Sequence, residues 1–64
     1  MNSSTLRAYR VKNNLTQKDI AEKLNISVVA YCSKERNKRS FTLDEAKKIA
    51  DIFNSSIDNV FYAD

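Results

Sequence analysis

Apolar residues recur along the chain at the spacing expected of helices, and short polar segments separate the apolar stretches. The clearest stretch is residues 43–53, whose apolar positions lie three or four residues apart, as on one face of a helix. Val28 and Val29 favour strands, but the chain offers no second stretch as a partner strand. We therefore predict an all-α chain with five helices, at about 5–13, 17–24, 28–36, 43–53 and 57–62.

The apolar positions of these helices indicate one small core to which every helix contributes. The predicted core residues are Leu6, Tyr9, Leu15, Ile20, Ala21, Leu24, Ile26, Tyr31, Leu43, Ala46, Ile49, Ala50, Phe53, Ile57, Val60 and Phe61. Because 64 residues is short for a domain, we expect a single domain over residues 1–64 without a deep enclosed pocket.

Capping residues support the predicted helix starts. Thr16 and Thr42 each precede a helical pattern and are followed three residues later by an acid, Asp19 and Glu45, as in a capping box. Ser27 precedes the third predicted helix and can cap it in the same way. The starts of the second, third and fourth helices are therefore predicted with a physical reason for each.

Asparagine replaces glycine as the residue that ends helices. The chain contains no glycine and no proline, whereas Asn14, Asn25 and Asn54 each follow an apolar, periodic segment. Asparagine is the non-glycine residue that best tolerates the left-handed backbone conformation, which commonly ends a helix. We therefore predict left-handed residues at these three positions.

Composition excludes several classes of function. Histidine is absent and Cys32 is the single cysteine, so the chain lacks the usual catalytic base and the ligands of a structural zinc site. We therefore expect no enzyme activity, no metal and no cofactor. No apolar run approaches the length of about 20 residues that a membrane span needs. Residues 1–5 resemble neither a signal nor a transit peptide, so we expect a cytoplasmic protein without membrane attachment.

Charge is distributed unevenly along the chain. Residues 7–39 contain nine basic and three acidic side chains, whereas residues 40–64 contain two basic and five acidic ones. The overall net charge is +3. This asymmetry suggests one basic face that meets a polyanion. A solvated surface with uneven charge is the alternative, and composition alone favours that alternative.

The second and third predicted helices have the spacing of a helix-turn-helix. Only Asn25, Ile26 and Ser27 separate them, and a turn of three or four residues is typical of that motif. Such a motif presents its second helix to the major groove of DNA, where each base pair shows a distinct pattern of donors and acceptors.

Four segments in this order resemble the Cro/repressor-type (XRE) helix-turn-helix proteins. They are TQKDIAEKLNIS at 16–27, ERNKR at 35–39, TLDEAKKIA at 42–50 and IDNVF at 57–61. The resemblance covers about residues 5–62 and implies a five-helix fold of the lambda-repressor type, with helices 2 and 3 as the helix-turn-helix. It also implies binding to double-stranded DNA, commonly as a homodimer on a pseudo-palindromic operator.

The resemblance implies roles for particular side chains. Gln17 is expected to contact phosphate. Base-facing positions are expected at Ser27, Val28, Val29 and Ser33, and contacts with the DNA backbone at Asn37, Lys38 and Arg39. Arg10 and Glu35 are expected to form a structural ion pair. Arg36 either contacts DNA or serves as a cation at the negative end of the helix dipole.

The chain departs from the family pattern at several positions. Asn14, Asn25 and Asn37 stand where the family usually has glycine, which the left-handed tolerance of asparagine explains. Val28 and Val29 stand where polar, base-contacting side chains are common. Three interpretations remain open for these valines: they face bases, they face a protein partner, or they belong partly to the core.

Together these features predict a sequence-specific DNA-binding transcriptional regulator, a repressor that acts by occupying its operator. The alternative is a protein-interaction adapter of the antitoxin or antirepressor type, which keeps the fold and binds a protein through Val28 and Val29. Salt dependence distinguishes the two hypotheses, because phosphate contacts make affinity fall steeply with salt.

Overall fold

Five helical segments make up the part of the chain that the structure describes. The structure is a computed structural model and describes the backbone of residues 3–62 and the side chains of residues 5–62. The segments are α1 (Ser3–Lys12), α2 (Gln17–Leu24), α3 (Val28–Glu35), α4 (Leu43–Ile52) and a π-helical segment (Asp58–Tyr62). No strand occurs within residues 3–62, so the all-α prediction is confirmed. The fifth helix differs from the expectation, because its five residues form a π-helix instead of an α-helix.

The predicted helix caps are confirmed. The Thr16 hydroxyl accepts a hydrogen bond from the Asp19 amide at 3.1 Å, and the Asp19 carboxylate accepts one from the Thr16 amide at 2.8 Å. Thr42 and Glu45 make the same reciprocal pair at 3.1 and 2.9 Å. Ser27 caps α3 through a 3.1 Å bond from the amide three residues later. Local side-chain chemistry therefore fixes where α2, α3 and α4 begin.

All four α-helices are followed by a left-handed asparagine. The φ angles of Asn14, Asn25, Asn37 and Asn54 are 58°, 58°, 63° and 51°. After each helix the amide that follows the asparagine bonds back five residues to a carbonyl of the last turn, as Ile26 does to Ala21 at 3.0 Å. The predictions for the three helix-ending asparagines are confirmed, and Asn37 adopts the same conformation in the loop after α3.

All the predicted core residues except Leu43 are buried or packed against the core, and Phe41 and Ile52 join them without having been predicted. The buried apolar residues of the core are Leu6, Ile20, Ala21, Leu24, Tyr31, Ala46, Ile49, Ala50, Val60 and Phe61. Partly buried side chains packed against this cluster are Tyr9, Leu15, Ile26, Phe41, Ile52, Phe53 and Ile57. The prediction for Leu43 is wrong, because its side chain is 71% exposed.

Phe41, which was not among the predicted core residues, packs against the core near the start of α4. Phe41 lies just before the cap of α4 and turns inward, with its ring centroid 6.0 Å from that of Tyr31 and 5.5 Å from that of Phe61. Phe41 thus packs against the core, whereas Leu43, the first residue of α4, lies on the outside. The helical period alone placed Leu43 on the buried face because it takes no account of the residues before the cap.

Packing of the helices places α3 at the edge of the bundle. α3 packs most extensively on α2 and less on α1, while α1 packs on the π-helical segment and α2 on α4. Three residues join α2 to α3, of which Asn25 is left-handed and Ser27 is the cap. The outer side of α3 is therefore open, while its inner side is buried in the domain.

Candidate nucleic-acid interface

The inner side of α3 is anchored by a buried carboxylate. Glu35 is only 5% exposed, and the Arg10 guanidinium of α1 donates to its two oxygens at 3.0 and 3.1 Å. Arg10 also donates to the carbonyl of Leu15 at 3.0 Å. The structure thus brings together the two residues expected to pair, and the pair joins α1, the start of α2 and the end of α3.

Electrostatics around Glu35 keep this carboxylate charged. Burial by itself would raise the pKa of Glu35, but the hydrogen bonds and the charge of Arg10 outweigh burial and hold the pKa below its usual range. Tyr31 lies one turn earlier, and its hydroxyl has no hydrogen-bond partner among the described residues. Burial raises the pKa of Tyr31 far above its usual range, and the neighbouring Glu35 side chain raises the pKa further.

Gln17 is the first residue of α2, and side chains of α3 bind both the oxygen and the nitrogen of its carboxamide. Its oxygen accepts from the Cys32 thiol at 2.9 Å, and its nitrogen donates to Glu35 at 3.4 Å. The side chain is half-buried. Because a carboxamide nitrogen carries two hydrogens, one N–H of Gln17 is left over from these contacts.

The outer side of α3 is apolar at its start and cationic at its end. Val29 is 77% exposed and Val28 is 39% exposed. A shallow cleft of about 300 Å³ lies along this side, lined by Val28, Val29, Cys32, Ser33, Arg36 and Lys38. Ser27 is exposed at the start of the same helix. The four positions expected to face bases thus lie at the exposed start or along the outer side of α3, and Val29 does not belong to the core.

The loop after α3 folds back onto the end of that helix. The amides of Lys38 and Arg39 both donate to the carbonyl of Ser33, at 2.8 and 3.3 Å. The side chains of residues 36–39 are all exposed. The loop therefore holds the cations expected to approach the DNA backbone beside the outer side of α3.

Two polar contacts of this region were not predicted from the sequence. Lys34 counts among the basic residues in the sequence, but here its ammonium group is bound to Glu45 of α4 at 2.6 Å. Cys32 is half-buried, and its thiol donates to Gln17. No sequence spacing signals either contact, because the partners lie on different helices.

Two other features are absent from the described residues. Within them, no group of three or more acidic or cysteine side chains is placed to hold a metal ion. No helix of that part of the chain is long and apolar enough to cross a membrane.

Comparison with known proteins shows the family. The helix-turn-helix family profile matches residues 6–60. This range contains α1 from Leu6 onward and the whole of α2, α3 and α4. The chain belongs to the XRE-type helix-turn-helix family. The α2–α3 pair is thus the helix-turn-helix of this protein, in the position where the sequence predicted it.

Two archaeal relatives carry similar sequences. An uncharacterized HTH-type transcriptional regulator of Methanocaldococcus jannaschii is 39% identical over 56 residues, which cover 88% of this chain and 85% of the relative. An uncharacterized HTH-type transcriptional regulator of Archaeoglobus fulgidus is 30% identical over 59 residues, covering 92% and 83%. No solved structure matches the chain. This helix-turn-helix protein therefore falls in a family of DNA-binding transcription regulators, which is non-enzymatic in general.

Proposed function

We propose that residues 1–64 form a single DNA-binding domain that binds a pseudo-palindromic operator as a homodimer in the cytoplasm and represses transcription by occupying it. The observation that carries this proposal is the outer side of α3. It combines exposed apolar side chains at the start of the helix with exposed cations at its end and in the following loop. A helix with such a side fits the major groove, with phosphates at its rim.

Phosphate contacts are assigned to the residues at the two edges of α3. The spare N–H of Gln17 donates to one phosphate, while its other contacts hold the carboxamide in place. Asn37, Lys38 and Arg39 contact the phosphates on the other edge, because the loop holds them beside Ser33. Contacts of this kind position a protein on DNA without selecting its sequence.

Base contacts are assigned to the exposed side of α3. Valine has no donor or acceptor, so Val28 and Val29 select thymine through its C5-methyl group, the apolar feature of a base edge in the major groove. Ser27, Ser33 and Arg36 supply the hydrogen bonds to neighbouring base edges. A specificity built on methyl contacts is modest, at the low end of the roughly 1–3 kcal/mol that a mismatched base pair usually costs.

The size of the chain is compatible with a dimer on one face of DNA. The longest dimension of the described chain is 27 Å. Half-sites one helical turn apart have centres separated by about 34–36 Å, so two copies fit side by side on adjacent half-sites. We expect the selected site to have two-fold symmetry with this spacing.

Selection from a random pool of duplexes tests the proposal. We expect an enriched, two-fold symmetric sequence that includes thymine at the positions facing Val28 and Val29. Lys38→Ala and Arg39→Ala should each weaken binding to every sequence and lower the slope of log affinity against log salt by about one. Lys48→Ala, an exposed lysine of α4 in the acidic part of the chain, is the matched control. An unenriched pool with no salt-dependent binding would contradict the proposal.

The exposure of Val29 also favours a second candidate function, an adapter of the antitoxin or antirepressor type. In that case the outer side of α3 binds an apolar surface of a protein partner. Such binding depends little on salt, and Val29→Ala abolishes it while leaving affinity for DNA unchanged. The same two measurements therefore distinguish the candidates.

A further inference from the structure

The last turn of α3 carries a lysine that points into the protein. Lys34 is one of the nine basic residues between 7 and 39, yet its side chain is only 13% exposed. Its ammonium group lies 2.6 and 2.7 Å from the two carboxylate oxygens of Glu45, which is 14% exposed. Lys34 is thus bound within the domain, in contrast to the exposed cations that follow it.

The Glu45 carboxylate binds Lys34 and also caps α4. Its Oε1 atom accepts from the Thr42 amide at 2.9 Å and so closes the capping box of α4. Burial would raise the pKa of Glu45, but the hydrogen bond from Lys34 and that from the Thr42 amide together hold the pKa below its usual range. The carboxylate is therefore charged and fixed to the first turn of α4 when it receives Lys34.

Phe41 completes the connection between the two helices. The Lys34 ammonium lies 6.0 Å from the centroid of the Phe41 ring, at the outer limit of a cation–π contact. The same ring packs against Tyr31 on the inner side of α3. Backbone packing of α3 is chiefly with α2 and α1, so these side chains form its link to α4.

We infer that Lys34 and Glu45 are positioning residues for DNA recognition: they fix the end of α3 against α4, and Lys34 does not contact phosphate. This inference rests on the proposed function. Arg10 and Glu35 hold α3 to α1, so a second, partly buried pair on the α4 side fixes the remaining freedom of α3 to tilt. A tilt would move Ser33 and Arg36 relative to the base edges while leaving the exposed loop cations able to reach phosphates.

Two substitutions of opposite charge test this role. Lys34→Met keeps an unbranched side chain over Phe41 and removes a positive charge. Glu45→Gln keeps an oxygen for the Thr42 amide and removes a negative charge. General electrostatic attraction predicts weaker binding for the first and tighter binding for the second. A positioning role predicts that both lower the ratio of affinity for the selected duplex to affinity for an unrelated duplex.

We expect both variants to lower this ratio by about tenfold, which corresponds to the loss of about one base contact. Lys34→Arg should preserve the ratio, because a guanidinium can still bind Glu45. The salt slope of Lys34→Met on the unrelated duplex should equal that of the wild type, whereas Lys38→Met should lower the slope by about one. Lys48→Met is the control for loss of a lysine in the acidic part of the chain.

A merely structural role would reduce both affinities together and leave their ratio unchanged, so all variants are compared at a temperature where circular dichroism shows wild-type helix content. If Lys34→Met does not fold, Glu45→Gln decides, because it keeps the cap. An unchanged or higher ratio for Glu45→Gln, or a lower salt slope for Lys34→Met, would overturn the inference. If the wild-type protein selects no DNA sequence, both the proposed function and the positioning role are wrong. If it selects a sequence and the variants keep the wild-type ratio, only the positioning role is wrong.

Discussion

The two sides of α3 are built from different chemistry. The inner side carries Tyr31 and Glu35, both buried, and is held by the Arg10 guanidinium. The outer side carries Val28 and Val29, which are exposed. Charge is thus buried where the helix is fixed to the domain, and apolar surface is exposed where the helix faces outward, the reverse of the usual arrangement in a soluble protein.

This reversal separates stability from recognition. A buried ion pair with two directed hydrogen bonds constrains the angle of a short helix more tightly than apolar contacts alone, because the bonds are lost when the helix tilts. Val29 is 77% exposed and contributes little to the core, so its side chain acts mainly through what it contacts outside the domain. Changes on the inner side should therefore alter folding, and changes on the outer side should alter binding.

The largest effect is expected from breaking the inner side. Glu35→Ala leaves Arg10 without its carboxylate partner and should lower the free energy of unfolding by about 3–5 kcal/mol. The total for a chain of this size is only about 3–10 kcal/mol, so much of the protein should lose its helical signal in circular dichroism. Glu22→Ala, an exposed acid of α2, is the control and should change little.

A double-mutant cycle sharpens the same point. Arg10→Ala combined with Glu35→Ala should be less destabilising than the sum of the two single changes, because the second substitution removes the charge that the first left unpaired. Strictly additive effects would contradict a coupled pair.

Low pH should also lower the stability of the fold through the inner side of α3, by less than Glu35→Ala does. The pKa of Glu35 and that of Glu45 are both held below the ordinary value of 4.5 in the folded protein. Each group therefore contributes stability that is complete above about pH 5–6 and is lost as the pH falls through the folded pKa. Urea unfolding at a series of pH values should give a constant free energy of unfolding from pH 6 to 8. The free energy of unfolding should fall below pH 4.5, the ordinary pKa of a glutamate.

The acid effect is expected to be smaller than that of Glu35→Ala, because a protonated carboxyl still fills its space and keeps hydrogen bonds. Glu35→Gln should remove part of the decline. An unchanged pH profile in this variant would show that other carboxylates cause the loss of stability.

Substitutions on the outer side of α3 should change DNA binding and leave the stability of the fold unchanged. Val29→Ala is expected to leave the unfolding transition unchanged and to cost about 1 kcal/mol in affinity for the selected duplex, the low end for one base contact. Replacement of thymine by uracil at the facing positions deletes only the methyl group and should cost the wild type about as much. Val11→Ala, an exposed valine of α1, is the control. Full affinity on the uracil duplex would assign the valines to a protein partner.

The smallest effect is expected from the hydroxyl of Tyr31. This group is buried without a hydrogen-bond partner among the described residues, and an unsatisfied polar atom is costly. Tyr31→Phe should therefore raise the free energy of unfolding, by up to about 1 kcal/mol, and should not alter the salt dependence of DNA binding. A loss of stability would show that the hydroxyl has a partner, such as Glu35 or a bound water.

The local features of this protein were determined by the sequence alone. Two kinds of feature are of this sort: the helix caps at Thr16, Ser27 and Thr42, and the left-handed asparagines that end the helices, such as Asn25. Each depends on residues within one or two helical turns of each other, so a short stretch of sequence is enough to predict it. The order of these signals also identified the helix-turn-helix and, through the family resemblance, the residues of the candidate interface.

Only the tertiary structure decided which side chains are used inside the domain. Lys34 and Glu45 are eleven positions apart and lie on different helices, and nothing in the sequence distinguishes this lysine from the exposed Lys38. Leu43 fits the helical period, yet its side chain is exposed, whereas Phe41 before the cap packs against the core. The physical reason is the same in both cases: burial depends on how helices meet in space, whereas a sequence pattern records only the period of each helix by itself.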